Sequence, residues 1–276
     1  MSVEFTDVGQ KITWQGVEAV NALYNQPQSY SFKIYPDSLA SQDAGPAYWL
    51  NNEMSDTGKG FHIYTQAGEL NRLYFAIGFD DTVGIWRTDT DTLSINAWQD
   101  ITITYNGANG ISENPIMYIE GISKAVTEIQ TPVGNIWNPS GQNLLIGRAA
   151  GINTPDGKED DPRLYNRILT PAEIITLTTP ANRNKYVVPN GLVFWAKMDS
   201  AKDLASFDGK ELTSDNKIID VIGNIEGTPA GSPIGRGVTD KITSAGVDAL
   251  SLGEGAFHRL WMDDSGIHGT TTVDTG

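Results

Sequence analysis

Apolar and polar residues alternate with a period of two along most of this chain. In residues 29–35, Tyr30, Phe32 and Ile34 share one side while Ser31 and Lys33 take the other. Val3, Phe5, Ile12 and Trp14 begin a similar pattern near the N-terminus, with Gly9 and Gly16 as punctuation. Segments 61–65, 73–79 and 83–87 continue it, separated by turns containing Gly, Asn or Asp. Further on, Ile101, Ile103 and Tyr105 face one way and Thr102 and Thr104 the other, before strand-like segments at 116–121 and 143–148. Period two in many short runs predicts an all-β fold of antiparallel strands packed as a sandwich.

One stretch departs from that period. Thr170 is placed as a helix N-cap, Pro171 occupies the first helical position, and Glu173 stands three residues after the threonine, which predicts one short helix near 170–179. The preceding Arg163, Leu164, Tyr165, Asn166 and Arg167 read as a strand running into it. Pro162 suits the first residue of that strand or an exposed edge.

Composition narrows the class. The 276 residues suffice for one large sandwich, or a sandwich with an appendage, and 29 glycines with 13 prolines favour strands and turns over a helical bundle. A net charge of −15, with only 19 Lys and Arg, excludes a nucleic-acid partner and disfavours anionic membrane surfaces. The acidity serves either solubility or cation binding by rim carboxylates. With no cysteine, disulfides and thiolate metal sites are ruled out. Met1–Asp7 has no basic segment and no apolar core, and no apolar run reaches the roughly 18–20 residues that span a bilayer. The expectation is a chain outside the standard export route and without membrane insertion.

Asp160, Asp161, Arg163, Leu164, Tyr165, Asn166, Arg167, Leu169, Thr170, Glu173 and Ile174 resemble the closing signature of LamG-like jelly rolls in the concanavalin A-like lectin/glucanase superfamily. Tyr30 to Leu39 resembles that family's early strand and corner. Residues 98–105 and 116–121 resemble its Trp-led strand and the following strand ending in glycine, and 143–148 its Ile-Gly strand. The resemblance implies an antiparallel jelly-roll β-sandwich over residues 1–183. Residues 191–199 are similar to the strand that opens such a domain, and 219–228 to the loop that follows it, so the usual order is rotated. Segment 184–276 is then expected either to complete the sandwich, with a permuted first strand in 190–230, or to extend it as a docking arm. Its Gly-, Ser- and Thr-rich end, 239–276, holds one apolar island at 256–262 that either caps the sandwich or docks on a partner.

The superfamily also contains glucanases, whose strand carries E-x-D-x-x-E; none occurs here. Glu159, Asp160 and Asp161 are contiguous, and His62, His258 and His268 are far apart, with no H-E-x-x-H, H-x-H or G-x-S-x-G spacing. The expectation is a protein that is not an enzyme. For glycan binding the candidates are Trp49, Trp86 and Trp137, each in or beside a loop, where a ring either stacks on a sugar or fills the core or rim. Trp14, Trp98 and Trp195 lie on strand patterns and read as core. Family members often hold calcium at a rim, and the nearest match is the oxygen-dense run 153–161, with Asp156, Asp160 and Asp161 as tentative ligands, unless that run is a solvated acidic turn.

LamG-like domains mostly bind glycans or proteins outside cells. The leading expectation is therefore a virion structural or accessory protein of a bacteriophage (head decoration, fibre or tail-associated), made in the host cytoplasm. It would contact other virion proteins or itself as a homo-oligomer, and present the sandwich to host-surface glycans. The alternatives are a carbohydrate-binding module of a secreted or surface bacterial protein, and a polysaccharide-degrading enzyme with an unrecognised site.

Overall fold

The computed structural model describes residues 2–236 apart from 43, 53–59, 67, 70, 108–112, 148–152, 183–184, 199–209, 212–217, 224 and 232. The described residues form one compact unit, and residues 237–276, with the apolar island at 256–262, lie outside the described residues. This unit is two sheets of nine strands each, paired antiparallel throughout their registers. Its elements are β1 (Ser2–Phe5), β2 (Lys11–Trp14), α1 (Glu18–Asn21), β3 (Pro27–Ser41), β4 (Ala47–Asn52), β5 (Phe61–Thr65), β6 (Tyr74–Ile77), β7 (Gly84–Thr88), β8 (Gln99–Asn106) and β9 (Ile116–Ile119). There follow β10 (Ile122–Lys124), β11 (Val126–Gln130), β12 (Leu144–Ile146), β13 (Pro155–Tyr165), α2 (Pro171–Thr178), β14 (Leu192–Trp195), β15 (Lys210–Glu211), β16 (Ile218–Ile219), β17 (Glu226–Ala230) and β18 (Ile234–Arg236).

One sheet runs β10-β9-β8-β3-β13-β1-β18-β15, with β14 also on β13; the other runs β11-β7-β6-β5-β4-β12-β2-β17-β16. Their facing sides carry the alternating apolar set. Phe5, Phe32, Ile34, Trp49, Phe75, Trp86, Ile101 and Phe194 are all within 1% of complete burial. Each such side chain contributes roughly 1.5–3 kcal/mol by leaving water. A smaller cluster lies under α2, where Ile174 and Leu177 cover Tyr118, Tyr165 and Trp195 on the first sheet's outer side.

The capping box forms as its spacing predicts. Thr170 Oγ1 accepts from the Glu173 amide at 3.3 Å, and Glu173 Oε2 accepts from the Thr170 amide at 2.9 Å. The Arg167 guanidinium beside Glu173 holds its carboxyl down at about 2. Besides this helix there is the one-turn α1, which the period-two pattern does not announce.

β13 is longer than the sequence suggests. It begins at Pro155 and takes in the acidic run, because Gly157 to Asp160 pair directly with Pro36 to Lys33. The expected solvated turn is thus a central strand. Pro162 stands inside it, and starts neither strand nor edge. Between Asp160↔Lys33 and Arg163↔Ser31, β13 spends three residues against two on β3, a bulge in which Pro162 needs no amide bond to β3. Asp161 at the bulge has φ +58°, a left-handed conformation that aspartate tolerates.

The strands after 190 join both sheets. β1 pairs along residues 157–159 of β13, and β14 along 163–165, so the two lie end to end on the same side of that strand. β17 pairs with β2 and β18 with β1. Trp14 marks the meeting point: its Nε1 donates to the Ile218 carbonyl at 2.9 Å, and its ring meets Phe194 edge-on at 5.3 Å. Gly227 opposite is required there, because a Cβ would fall 2.4 Å from the indole. A fragment of residues 1–183 is therefore expected to show no cooperative transition in urea, since Trp14 and half of one side of β13 lose their partners. A sharp two-state transition for that fragment would make the later strands an independent addition.

Candidate functional site

The acidic run does not converge on a cation. Glu159 lies in register with Val3 and Ile34, both core residues, and so faces inward; Asp160, opposite Lys33, faces outward. Asp161 is spent within the fold. Its Oδ1 accepts from Arg163 Nε at 3.1 Å and from Trp195 Nε1 at 2.5 Å, and its Oδ2 from Arg163 Nη2 at 3.0 Å. The guanidinium, only 1% exposed, sits 4.5 Å from the centre of the Trp195 ring and donates to the Lys185 carbonyl at 2.9 Å. Asp156 lies farther along the strand, where Gln42 Nε2 donates to its Oδ1 at 2.8 Å. Partial burial, then the charge of Asp37, raise the Asp156 carboxyl above its ordinary value. The tentative calcium set of Asp156, Asp160 and Asp161 is not brought together: among the described residues no three His, Cys, Asp or Glu come together as ligands. Glu159 points into the sandwich, and Asp161, on the outer side with Asp160, is taken up by Arg163 and Trp195, so these carboxylates form no facing acid–nucleophile pair.

The tryptophans divide differently from the expectation. Trp49 is wholly buried with Nε1 on Thr65 Oγ1 at 3.1 Å, and Trp86 is wholly buried between Phe75 and Tyr105 with Nε1 on Asn114 Oδ1 at 2.7 Å. Neither presents a face to a sugar, so both leave the list of binding candidates; β4 and β7 place them on inward positions. Trp98, expected in the core, is half-buried and meets Tyr35 edge-on at 5.7 Å. It precedes β8 and escapes that strand's alternation, while Lys158 Nζ occupies the Tyr35 ring at 4.1 Å.

Trp137 is the remaining candidate and lies at a recess. The loop carrying it is tied to the β6–β7 connection by the bridges Phe79↔Ile136 and Thr82↔Val133, and by the Trp137 amide donating to the Gly78 carbonyl at 3.0 Å. From the other side, the chain through α1 brings buried Val20 and Leu23 and half-buried Tyr24, and Asn21 Nδ2 fastens α1 to the Gln142 carbonyl at 3.1 Å. Between them, the ends of β3, β4, β5 and β6 contribute Gln28, Asn52, Phe61 and Ile77. The recess is narrow and shallow, its enclosed space no more than about one water molecule would occupy. It is the place where the space between the two inner faces reaches one end of the sandwich. Half-buried Trp137 and Tyr24 flank an apolar interior holding two side-chain amides, a combination suited to a small ligand with an apolar face and hydrogen-bonding groups.

Sequence reasoning missed Tyr24 and Gln28. The signal for Gln28 was present: it extends the inward series Ile34, Phe32, Tyr30 by one step and places an amide where an apolar residue is due. Tyr24 carries no such mark. Also unanticipated is a row across four strands, Tyr48↔Tyr64↔Tyr74↔Arg87. The tyrosine rings lie 5.4 and 4.9 Å apart, and Arg87 Nη1 and the Tyr74 hydroxyl both donate to Glu69 Oε2 at 3.0 Å. These rings spend their faces on one another, which suits cross-strand stabilisation better than sugar stacking.

With this geometry in view, the family can be stated. A family profile for the laminin G-type domain of the concanavalin A-like lectin/glucanases superfamily matches residues 9–175, and the chain belongs to that family. Among solved structures it is similar to a candidate carbohydrate-binding protein from Bacteroides ovatus, at TM-score 0.54 and 18% identity over 84% of this chain and 60% of that one. The chain thus spans about 60% of that protein's length. It is also similar to the CBM40 of a Ruminococcus gnavus IT-sialidase bound to α2,3-sialyllactose (TM-score 0.47, 11% identity, 64% of this chain and 96% of that). A heptameric pentraxin from Limulus polyphemus follows at TM-score 0.39 and 11% identity, over 64% of this chain and 81% of that. No curated protein sequence matches the chain.

Two outcomes follow from the β13 carboxylates. Asp161→Ala strands a buried guanidinium and is expected to cost about 3–5 kcal/mol in urea unfolding, equally in calcium and in chelator; a loss confined to chelator would restore a metal role. Glu159 is fully buried with neither oxygen hydrogen-bonded, and burial, reinforced by the charge of Asp160, pushes its carboxyl well above the usual range. The folded state therefore holds a proton that the unfolded chain releases near pH 4.3, and stability falls as pH rises from there towards the raised folded value. Glu159→Gln is expected to gain melting temperature relative to wild type as pH goes from 4 to 8. A difference that stays constant over that range would refute the assignment.

Proposed function

We propose that this chain is a non-catalytic glycan-binding module that holds a sugar at the end of the sandwich, over the recess between Trp137 and Tyr24. The observation that carries this is the pairing of two half-buried aromatic rings with an apolar recess containing the amides of Gln28 and Asn52. Sugar rings offer a C–H face that packs on aromatic surface, and the two rings at the mouth provide that surface. Membership of a lectin-containing superfamily and the fold shared with the Bacteroides ovatus protein favour this reading by analogy. The absence of a facing carboxylate pair on β13 favours binding over hydrolysis.

The finer expectation, that the module belongs to a virion and adheres to host-surface glycans, has its support in the sequence alone. Mass spectrometry of purified particles tests it separately from binding, and an extracellular module without a particle is the alternative.

The binding proposal is tested on a glycan array followed by titration of any hit. Trp137→Ala is expected to weaken binding roughly tenfold or more while leaving the melting temperature within a degree or two, because the ring is already partly in solvent. Unchanged affinity in Trp137→Ala would move the site elsewhere, and reducing-end release from a polysaccharide panel would make the protein an enzyme.

A further inference from the structure

One lysine of the first sheet stands between two aspartates, and all three are nearly closed off from water. Lys33 on β3 is directly opposite both Asp100 on β8 and Asp160 on β13, at exposures of 3%, 8% and 8%. Residues directly opposite on neighbouring strands have Cβ atoms roughly 4.5–5.5 Å apart, which brings both carboxyls within the span of a lysine side chain. Lys33 Nζ is paired with Asp100 Oδ1. The surroundings hold that pair in place. β3 and β8 keep an unbroken register from Pro27↔Asn106 to Ile34↔Gln99, and Glu120 Oε1 accepts from the Asp100 amide at 2.7 Å. On one flank, Thr102 donates to the Ser31 hydroxyl at 3.2 Å; on the other stands the edge-on pair of Tyr35 and Trp98.

We infer that Lys33 and Asp100 become joined by an isopeptide bond in the folded chain, with Asp160 as the proton carrier. The ammonium first gives one proton to the Asp100 carboxylate, leaving a neutral amine and a neutral acid. The Nζ lone pair then attacks Asp100 Cγ, and the bond from Cγ to the protonated oxygen breaks. A second proton passes from nitrogen through the Asp160 carboxylate to the departing hydroxyl, which leaves as water. One ammonium and one carboxylate thus become one amide and one water, with no change in net charge and no oxidant. In bulk water such condensation does not proceed. Here the reactants are held together, and fixed geometry is equivalent to a reactant concentration of about 10⁵–10⁸ M. Burial adds a second drive, because two charges shut away from water are costly and an amide carries none. The three residues lie on the outer side of the first sheet, so this inference stands apart from the glycan-binding reading.

The test is the intact mass of the purified full chain, measured under denaturing conditions. It is expected about 18 Da below the mass of the sequence, the weight of the water lost. A tryptic digest is expected to hold one branched species joining residues 12–59 to 88–124, since an acylated Lys33 is not cleaved. Lys33→Arg and Asp100→Ala are each expected to restore the full mass. Wild type at the full sequence mass would overturn the bond and leave an ordinary buried ion pair. A loss of water that maps elsewhere, or that persists in either variant, would overturn it too. Asp160→Asn is expected to leave mostly uncondensed chain, and Asp160→Glu, which keeps a carboxylate, to condense. Equal condensation in those two variants would overturn the role given to Asp160.

Discussion

The structure depends on β13 and on the extra residue it carries at the bulge. Three strands pair with it: β3 along its whole length on one side, then β1 and β14 on successive halves of the other. The bulge shifts the register so that Asp161 and Arg163 meet on the outer side of the sheet, where an aspartate, a guanidinium and the Trp195 indole close one buried contact. That contact fastens the chain returning after α2, and β14 follows in position to fill the half of β13 that β1 leaves open. Buried ion pairs of this kind owe their stability to complete satisfaction; removing one member leaves a charge that the interior cannot solvate.

The same strand explains why the run of acids does not converge. Glu159 points into the sandwich interior, while the bulge leaves both Asp160 and Asp161 on the outer side, where Asp161 is taken up by Arg163 and Trp195. Outward, the row Asp100–Lys33–Asp160 lies across three neighbouring strands, with Lys33 and Asp100 joined as an ion pair. Inward, Glu159 sits among apolar neighbours, where burial favours its neutral form. The candidate site lies elsewhere, at the end of the sandwich. There the two inner faces stop being covered by each other and are covered instead by α1 and the loop of Trp137.

Much of the fold was legible because period-two alternation and the capping box are local signals. Strand β5 and helix α2 are located by residues within a few positions of one another. The bulge was not legible, since Pro162 looks like a strand start until the partner register shows that the strand continues through it. The fate of the tryptophans was only partly readable. Trp49 and Trp86 sit beside loops in sequence yet fall on inward positions of β4 and β7, while Trp98 lies just outside the alternation of β8 and turns to solvent. Of the site, Trp137 could be nominated from its residue type. Tyr24 and Gln28 join it only through the meeting of α1, β3 and the 131–142 loop, which are distant in sequence. Gln28 alone left a mark, a polar residue on an apolar series.

The central claim is that a sugar is held at the mouth between the two sheets, and protein-observed NMR addresses it most directly. On titration with a glycan selected on an array, the Trp137 indole N–H and the Gln28 side-chain amide are expected to shift together and saturate with one dissociation constant, while the buried Trp195 indole stays in place. Shifts centred on Trp98 or on the Tyr48–Tyr64–Tyr74 row, with Trp137 and Gln28 unmoved, would contradict the account.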